Sequence, residues 1–506
     1  MNDTARTTTG DDVRTPEPPT TRPSPAGTGN TAPPVGGVND ATASDKLPKG
    51  ALPTAMIMLV AALPPMLDST IVNIAIDGLA RQFGTGLATM QWAVTVYVLA
   101  LGIAVPFAGW LIRRVDGRTM FMGATVFFLA GSLLSGLAWN VGSLIVFRAV
   151  QGLAAGLIMP TLTTLAVGIA GGSQNLGKLM SLIGIPVVFA PIVGPVVGGL
   201  IMANLPWHWL FFVNLPVGLV GLALMGWKFP RFPADDRSAR LDWPGVALLA
   251  VVSGALVYGV TQVVDDGSRT VGVGFLALGA AALAGYVVYG RRRGGRALVP
   301  LSMFGSRNFS AAFTSLFLAG FATNGPMLLF PVFFQNVDGL SVITSALWLI
   351  PQGLGMLLTR PFFGKWTDRY GARLIVVPSI AVTIAGTLPF AFFDAATPAW
   401  LVWAVLLVRG AGVGGFTVPV MADSYVGLAK PLIPAASVAT RIIQNVGAAF
   451  GSAVLATVVS TVLSSNGGNI ADAFHAGFLT SLAFMAVGIA PAMFLTKKTY
   501  VGLNVR

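Results

Sequence analysis

Asp68 is the residue whose type and place ask for chemistry. It stands in Leu67-Asp-Ser-Thr-Ile-Val-Asn-Ile-Ala-Ile76, well inside an apolar run. A charge inside a run that crosses a bilayer costs several kcal/mol, so it needs a reason. Taking a carboxyl out of water favours its protonated form. Such a group accepts a proton from one side and releases it to the other, or attracts a cationic substrate. The competing reading is structural, through hydrogen bonds to neighbouring helices. Rivals are few. The chain has 19 acids, the only glutamate is Glu17, and every acid after residue 50 is an aspartate. The others lie in the tail, in loops or at the ends of apolar runs, and Asp423 is the nearest rival.

Arg148, in Phe147-Arg-Ala-Val-Gln-Gly152, lies in a second apolar run. It is expected to pair with Asp68 or with a carbonyl; the alternative is a side chain snorkelling to the interface. Arg441 and Gln444 stand near the start of a later run, as cavity residues or as interfacial anchors. Trp92, Tyr97, Asn324 and Gln352 are further substrate-cavity candidates from predicted helix faces.

Much other chemistry is excluded. There is no cysteine, so thiolate metal sites and cysteine nucleophiles are absent. The two histidines, His208 and His475, fall at predicted outer helix ends, and no metal site is expected. Gly172-Ser-Gln-Asn-Leu-Gly-Lys178 imitates a phosphate loop, but Leu179 stands where Ser or Thr should hold magnesium. Gly410-Ala-Gly-Val-Gly-Gly415 lies inside an apolar run with no strand before it. With no nucleotide site, the energy source expected is an ion gradient, without a cofactor and without enzyme activity.

The elements that must position these residues are membrane helices. Apolar residues make up 54% of the 506, charged residues 10%, and mean hydropathy is +0.76. An average soluble domain carries about 25% charge. From residue 54 the chain is a series of apolar runs of bilayer-crossing length. We read about fourteen: 54–76, 90–112, 120–139, 142–168, 179–203, 209–228, 243–264, 270–290, 309–334, 341–363, 374–393, 399–422, 436–463 and 475–495. The fold class expected is an all-α polytopic membrane protein of about fourteen spans.

Charge gives the orientation. With residue 1 inside, the inside loops and C-terminus carry 20 basic residues against two outside, Arg81 and Arg269. The net charge of +12 is thus mostly topology, and no soluble basic face exists for nucleic acid. Residues 1–50 hold eight prolines, ten threonines and no aromatic residue, and are expected to be disordered. They lack the apolar stretch of a signal peptide, so the tail is expected to be cytoplasmic.

The chain also repeats itself. Gly109-Trp-Leu-Ile-Arg-Arg-Val-Asp-Gly-Arg118 returns as Gly364-Lys-Trp-Thr-Asp-Arg-Tyr-Gly-Ala-Arg373, and Arg148 returns as Arg409. The organisation expected is a tail (1–53), a six-helix half (54–228), two inserted helices with a linker (229–308), a second six-helix half (309–495) and a short tail (496–506). Such repeats build transporters that alternate access to a central site. In the loop motifs Gly109 and Gly364 allow close helix approach. Arg113, Arg114, Arg118, Asp368, Arg369 and Arg373 are expected to make cytoplasmic charge contacts that hold one conformation closed, unless they are plain positive-inside anchors. In the fifth run Gly194, Gly198 and Gly199 permit tight packing, and Pro191 and Pro195 remove backbone donors. Physics alone does not choose there between a hinge and plain packing.

Taken together and in order, these motifs resemble the major facilitator superfamily. The resemblance is to the fourteen-helix drug:proton antiporters of EmrB/QacA type. It rests on Asp68 in its run, the Gly109 loop, Arg148 with Gln151-Gly152, the glycine-proline pattern at 194–199 and Trp207-His-Trp-Leu-Phe-Phe-Val-Asn-Leu-Pro-Val-Gly218. Leu241-Asp-Trp-Pro-Gly245 is similar to that family as well. It covers roughly residues 54–460. It implies a role for Asp68 and Arg148 in proton coupling, and outward transport from the fifth-run motif. It further implies amphipathic substrates such as antibiotics, dyes or antiseptics. Departures exist: Arg113 stands where the family usually has an aspartate, Asp116 replaces a glycine, and Asp77 stands where a proline is common. The first two argue against a symmetric gating role for the first loop copy.

The function expected is a proton-coupled exporter of amphipathic drugs in the cytoplasmic (inner) membrane, both termini inside. Its partners are a small substrate, protons and lipid, with no nucleic acid, and a periplasmic adaptor where the cell has an outer membrane. The alternatives are export of one native metabolite, lipid or siderophore, and a membrane sensor that moves nothing.

Overall fold

In the computed structural model the chain is described over residues 50–170, 176–234, 240–263, 267–465 and 469–497. The tail expected at 1–53 therefore falls almost wholly outside the described residues, as does 498–506. Among the described residues there is no strand.

The first eight helices are α1 (Ala51–Gln82), α2 (Leu87–Arg114), α3 (Gly117–Gly136), α4 (Val141–Ala170), α5 (Leu176–Ile183), α6 (Ile185–Asn204), α7 (Trp209–Phe212) and α8 (Asn214–Lys228). A pair follows, α9 (Trp243–Val263) and α10 (Arg269–Arg293). Then come α11 (Arg307–Asn336), α12 (Val342–Leu347), α13 (Ile350–Tyr370), α14 (Arg373–Thr387), α15 (Ala399–Gly414), α16 (Thr417–Asp423), α17 (Ile433–Ser465), α18 (Ile470–Val487) and α19 (Ile489–Ala492).

Helices apolar on every face suit a lipid surround. Large apolar side chains stand exposed around the bundle, among them Trp227, Trp243, Leu358, Phe392 and Trp400. In water such a surface would drive association. Twelve helices among the described residues are long and apolar enough to cross a membrane. The other two places expected, 179–203 and 341–363, are also helical, as α5–α6 and α12–α13. α13 carries Arg360, Lys365, Asp368 and Arg369, and several side chains of α6 lie outside the described set. Twelve spans are therefore shown, and fourteen is a proposal.

Around Asp68 the packing is close. α1 packs on α2, α4, α6 and α8, while α3 packs on α4 and α8. One turn before Asp68 stand Pro64 and Pro65. A proline inside a helix removes a backbone donor and frees a carbonyl upstream. The Pro65 carbonyl accepts from the Tyr97 hydroxyl at 3.2 Å, which ties α1 to α2 beside the acid.

The sequence repeat returns as repeated packing. Gly152 of α4 lies against the Tyr97 backbone of α2, and Gly410 of α15 lies against the Gln352 backbone of α13. Gly131 meets the Gln151 backbone just as Gly386 meets that of Arg409. In both places a glycine on the arginine helix lets two backbones touch. The domain boundaries remain those proposed from the sequence.

The inserted pair is fixed by Asp242. Its carboxylate accepts from the Gly245 amide at the start of α9 (3.3 Å), from the Leu298 amide (3.1 Å) and from the Tyr289 hydroxyl of α10. One acid thus ties α9, α10 and the following linker together.

Candidate functional site

Asp68 and Arg148 meet. The Arg148 Nη1 donates to Asp68 Oδ2 in an ion pair buried to within 1% of full exclusion from solvent. Both of the acid's oxygens are engaged. Gln151 Nε2 donates to Oδ1 at 2.9 Å and Asn214 Nδ2 at 3.0 Å. Asn214 also donates to Ser132 Oγ (3.0 Å), which donates to the Phe211 carbonyl (2.9 Å). Four helices, α1, α3, α4 and α8, thus converge on one carboxylate.

Arg148 is as fully placed. Its Nε donates to the Ala93 carbonyl of α2 at 3.1 Å, and Nη1 also reaches Gln151 Oε1 at 2.7 Å. Its guanidinium lies over the Tyr97 ring, 4.2 Å from the centroid. A cation over an aromatic face is attracted by the ring quadrupole. The snorkelling alternative is thereby corrected: the side chain turns inward, because a carboxylate, a carbonyl and a ring await it there.

One expectation for Asp68 changes. With Arg148 neutralising it and two amides on Oδ1, the carboxylate in this state has no free face for a cationic substrate.

Three residues of this network were given no site role from the sequence, although two of them stand in the quoted motifs: Gln151, Asn214 and Ser132. Two signals were available. Gln151 is three residues after Arg148, on the same helix face. Asn214 is an amide within an apolar run, and buried polar groups are kept when hydrogen-bonded.

The predicted cavity residues scatter. Trp92 is exposed on α2 and packs on Tyr258 of α9, 5.8 Å between rings, so it faces the inserted pair. Tyr97 is buried beneath Arg148. Gln352 is buried and accepts from Arg409 Nη1 at 2.6 Å. Arg441 Nη1 donates to Gln444 Oε1 at 3.2 Å, confirming those two as neighbours. The Asn324 side chain lies outside the described set, as do those of Pro191, Pro195 and Asp77. In the glycine motif, Gly194 leaves room for Thr70, whose hydroxyl donates to the Ala190 carbonyl at 2.9 Å and joins α1 to α6. Gly198 is buried, and Gly199 lies beside Ile343 of α12.

The loop copies behave differently. In the second, Asp368 accepts from the Gly177 amide (2.7 Å) and the Lys178 amide (3.0 Å), at the start of α5. A carboxylate at a helix N-terminus meets unpaired amides and a favourable dipole. The phosphate-loop lookalike thus lends its last amides to an aspartate. Gly364 and Gly177 touch backbone to backbone, so neither tolerates a Cβ there. Arg369 and Arg373 do not join this contact: Arg369 is exposed beside Tyr370, and the Arg373 amide donates to the Thr496 carbonyl at 3.0 Å. In the first copy Asp116 caps its own helix through the Thr119 amide (3.1 Å), and Arg118 caps α8 through the Gly226 (2.6 Å) and Phe229 (3.1 Å) carbonyls. Arg114 stacks on Trp110, and Gly109 faces Val438 of α17, while Arg113 is half-buried. The second copy makes the charge contact across from α13 to α5, whereas Arg118 and Asp116 bond within their own half.

This yields a measurable expectation. Asp368→Asn removes a charge–dipole interaction of about 1 kcal/mol, a roughly fivefold shift in the opening equilibrium. The chain has no native cysteine, so Ser181→Cys in the contact provides a clean probe. Maleimide labelling at 181 rises about fivefold with Asp368→Asn. It stays unchanged with Arg369→Gln; equal labelling in all three would remove the latch role of Asp368.

The histidines are structural here: His208 Nδ1 lies 2.6 Å from the Gly136 carbonyl and His475 Nε2 2.8 Å from that of Phe393.

Comparison with known proteins places these features in a family. The family model described as Major Facilitator Superfamily matches residues 58–452. A Multidrug resistance protein B homolog from Mycobacterium tuberculosis is 32% identical over 421 residues, 82% of this chain and 77% of the relative. The Lincomycin resistance protein LmrB of Listeria monocytogenes is 28% identical over 411 residues, 81% of this chain and 86% of the relative. Among solved structures, the human organic anion transporter MFSD10 (TETRAN) superposes with a TM-score of 0.61 at 14% identity, over 88% of this chain and 99% of that one. That likeness concerns the fold alone.

Proposed function

This chain belongs to the major facilitator superfamily, and on that premise we propose that it exports small amphipathic compounds in exchange for protons, with Asp68 and Arg148 as the coupling pair. It is a multi-pass membrane protein and a transporter rather than an enzyme. The observation that carries the coupling proposal is the buried Asp68–Arg148 pair at the junction of α1, α2, α4 and α8. The names of the curated relatives support the substrate class: one is a multidrug resistance protein, another a lincomycin resistance protein.

The proposed cycle has one chemical event. A proton from the outer side binds Asp68 and takes the oxygen that holds Arg148. Arg148 keeps the Ala93 carbonyl, Gln151 Oε1 and the Tyr97 ring, so it stays in place while the charge tie between α1 and α4 is lost and only the Gln151 amide still joins them at this carboxyl. That protonated state returns to the inward-facing form, loses the proton to the cytoplasm and restores the pair. Substrate enters from the cytoplasm once the α5–α13 contact parts. In this proposal the sides follow the basic loops, which place both termini in the cytoplasm and the protein in the cytoplasmic membrane. The proton gradient is the energy source.

The test is accumulation of amphipathic dyes in everted membrane vesicles energised to a known pH gradient. Vesicles containing the protein accumulate dye, and an uncoupler collapses the accumulation. Equal accumulation with and without the protein across a broad dye panel, or accumulation indifferent to the uncoupler, overturns the proposal.

A further inference from the structure

Buried arginines in a membrane helix are normally fully bonded, because each unpaired donor is expensive. Arg409 is, and Arg148 has its Nε and Nη1 bonded and its guanidinium over the Tyr97 ring. The Arg409 Nε donates to Thr387 Oγ1 (3.1 Å), Nη1 to Gln352 and Nη2 to the Ala322 carbonyl (3.1 Å). Two others are not. Arg360 is 3% exposed, and its Nε has no hydrogen-bond partner. Arg441 is half-buried, and its Nε is buried without a partner. Among the described residues neither pairs with a carboxylate.

These two are placed alike, on separate helices. Both lie on helices that meet the other repeat. Arg360 is on α13, one turn from Gly364, and gives Nη1 to the Gly184 carbonyl between α5 and α6. Its own carbonyl accepts from Ser181 Oγ at 2.8 Å. Arg441 is on α17, one turn beyond Ser437 and Val438; Ser437 Oγ meets Thr164 Oγ1 of α4 at 3.0 Å and Val438 packs on Gly109 of α2. Arg360 is eight residues from Asp368, and Arg441 eight from the start of α17 at Ile433. At 1.5 Å per residue both sit about 12 Å in from the basic end of the bundle.

The acids near that end are engaged elsewhere. Asp368 holds the amides of α5, and Asp423 accepts from the Thr496 hydroxyl and amide. Asp68 is held by Arg148, Gln151 and Asn214. The two contacts between the repeats, α13 with α5 and α17 with α2 and α4, therefore each hold a cation with a spare donor and none of these acids paired with it.

We propose that the exported compound carries an anionic group (carboxylate, sulfonate or phosphate) on an apolar body, and that Arg360 and Arg441 bind it. This rests on the transporter reading above and deepens it. With the α5–α13 contact parted, Arg360 loses the Gly184 carbonyl and faces the cavity. The anion takes that carbonyl's place and fills the spare donors. When the contact closes, the Gly184 carbonyl reclaims Arg360 and displaces the anion outward. The Gly184 carbonyl and the substrate are competitors for one guanidinium, so closure at the basic end and release are one event.

The test is equilibrium binding to the purified full chain in neutral phosphatidylcholine nanodiscs, with no gradient applied. The probes are carboxyfluorescein, an anion, and rhodamine 6G, a cation on the same xanthene frame. Carboxyfluorescein binds tighter than rhodamine 6G to the wild type. Arg360→Gln and Arg441→Gln each weaken carboxyfluorescein roughly tenfold, the scale of one charge-assisted hydrogen bond, and leave rhodamine 6G within about twofold. Arg360→Lys keeps most of the preference, which separates charge from fold. Replacing part of the lipid by anionic phosphatidylglycerol distinguishes the source: competition assigns the site to a lipid headgroup, no competition to a diffusible anion, and both retain the anionic class. Tighter rhodamine 6G binding, or glutamine variants that leave anion affinity unchanged or weaken both dyes alike, overturns the proposal. Because no gradient is used, failure of proton-driven export cannot be mistaken for failure of this site.

Discussion

Asp68→Asn abolishes gradient-driven export: dye accumulation in energised everted vesicles falls by at least about a hundredfold, equivalent to about 2.7 kcal/mol. The substitution keeps the side chain's shape. Its oxygen still accepts from Gln151 Nε2 and Asn214 Nδ2. Arg148 retains Ala93, Gln151 and the Tyr97 ring. What is lost is the group that takes up and gives back a proton. Arg148 is left without its anion, a loss on the scale of any broken buried pair, so export is compared at equal amounts of folded protein; that protein binds dye and equilibrates it passively, but no longer responds to a pH difference. Asp116→Asn is the control. That acid caps α3 at a partly exposed position, so export stays near wild type. Full gradient-dependent export by Asp68→Asn would remove Asp68 from the coupling step.

The second large effect is on stability. Arg148→Ala leaves Asp68 as a buried carboxylate with no cation. Breaking one partner of a buried pair costs about 3–5 kcal/mol, although the intact pair adds little net stability. The apparent melting temperature of the purified protein falls sharply. The double variant Asp68→Asn, Arg148→Gln removes both charges and recovers more than half of the loss. Contacting residues are non-additive by about 0.5–3 kcal/mol, and this pair belongs at the upper end because four helices share it. Strictly additive losses would mean that the two charges do not support each other in the folded protein.

Sequence and structure agree where the physical signal was strong. The cost of a charge in lipid singles out Asp68, and Arg148 was the nearest arginine in an apolar run. Their meeting follows once α1 and α4 pack together. The acid in the second loop copy was legible from the repeated motif, although not its partner: the free amides belong to the start of α5, and helix starts cannot be placed in space from sequence. The cavity candidates fared worse. Trp92 and Tyr97 are five residues apart on α2, which sets them on different sides of the helix. One faces the inserted pair and the other lies under Arg148. A face assignment needs to know which neighbour each side meets, and α9 was not expected to cover α2. Asn214 was overlooked because an amide seems unremarkable in an apolar run until its partner is a buried acid. Arg360 falls inside the predicted run 341–363, yet its spare donor appears only when every neighbour is placed.

Proton counterflow in proteoliposomes tests the central claim most directly. A trapped pH dye reads internal pH while the exported compound is driven down its own gradient with no pH difference imposed. Wild-type protein moves protons opposite to the compound, and the internal pH shifts with the compound's flux. Asp68→Asn moves the compound with no pH change. Proton movement of wild-type size in Asp68→Asn, or compound flux through the wild type with no proton movement, would contradict the account.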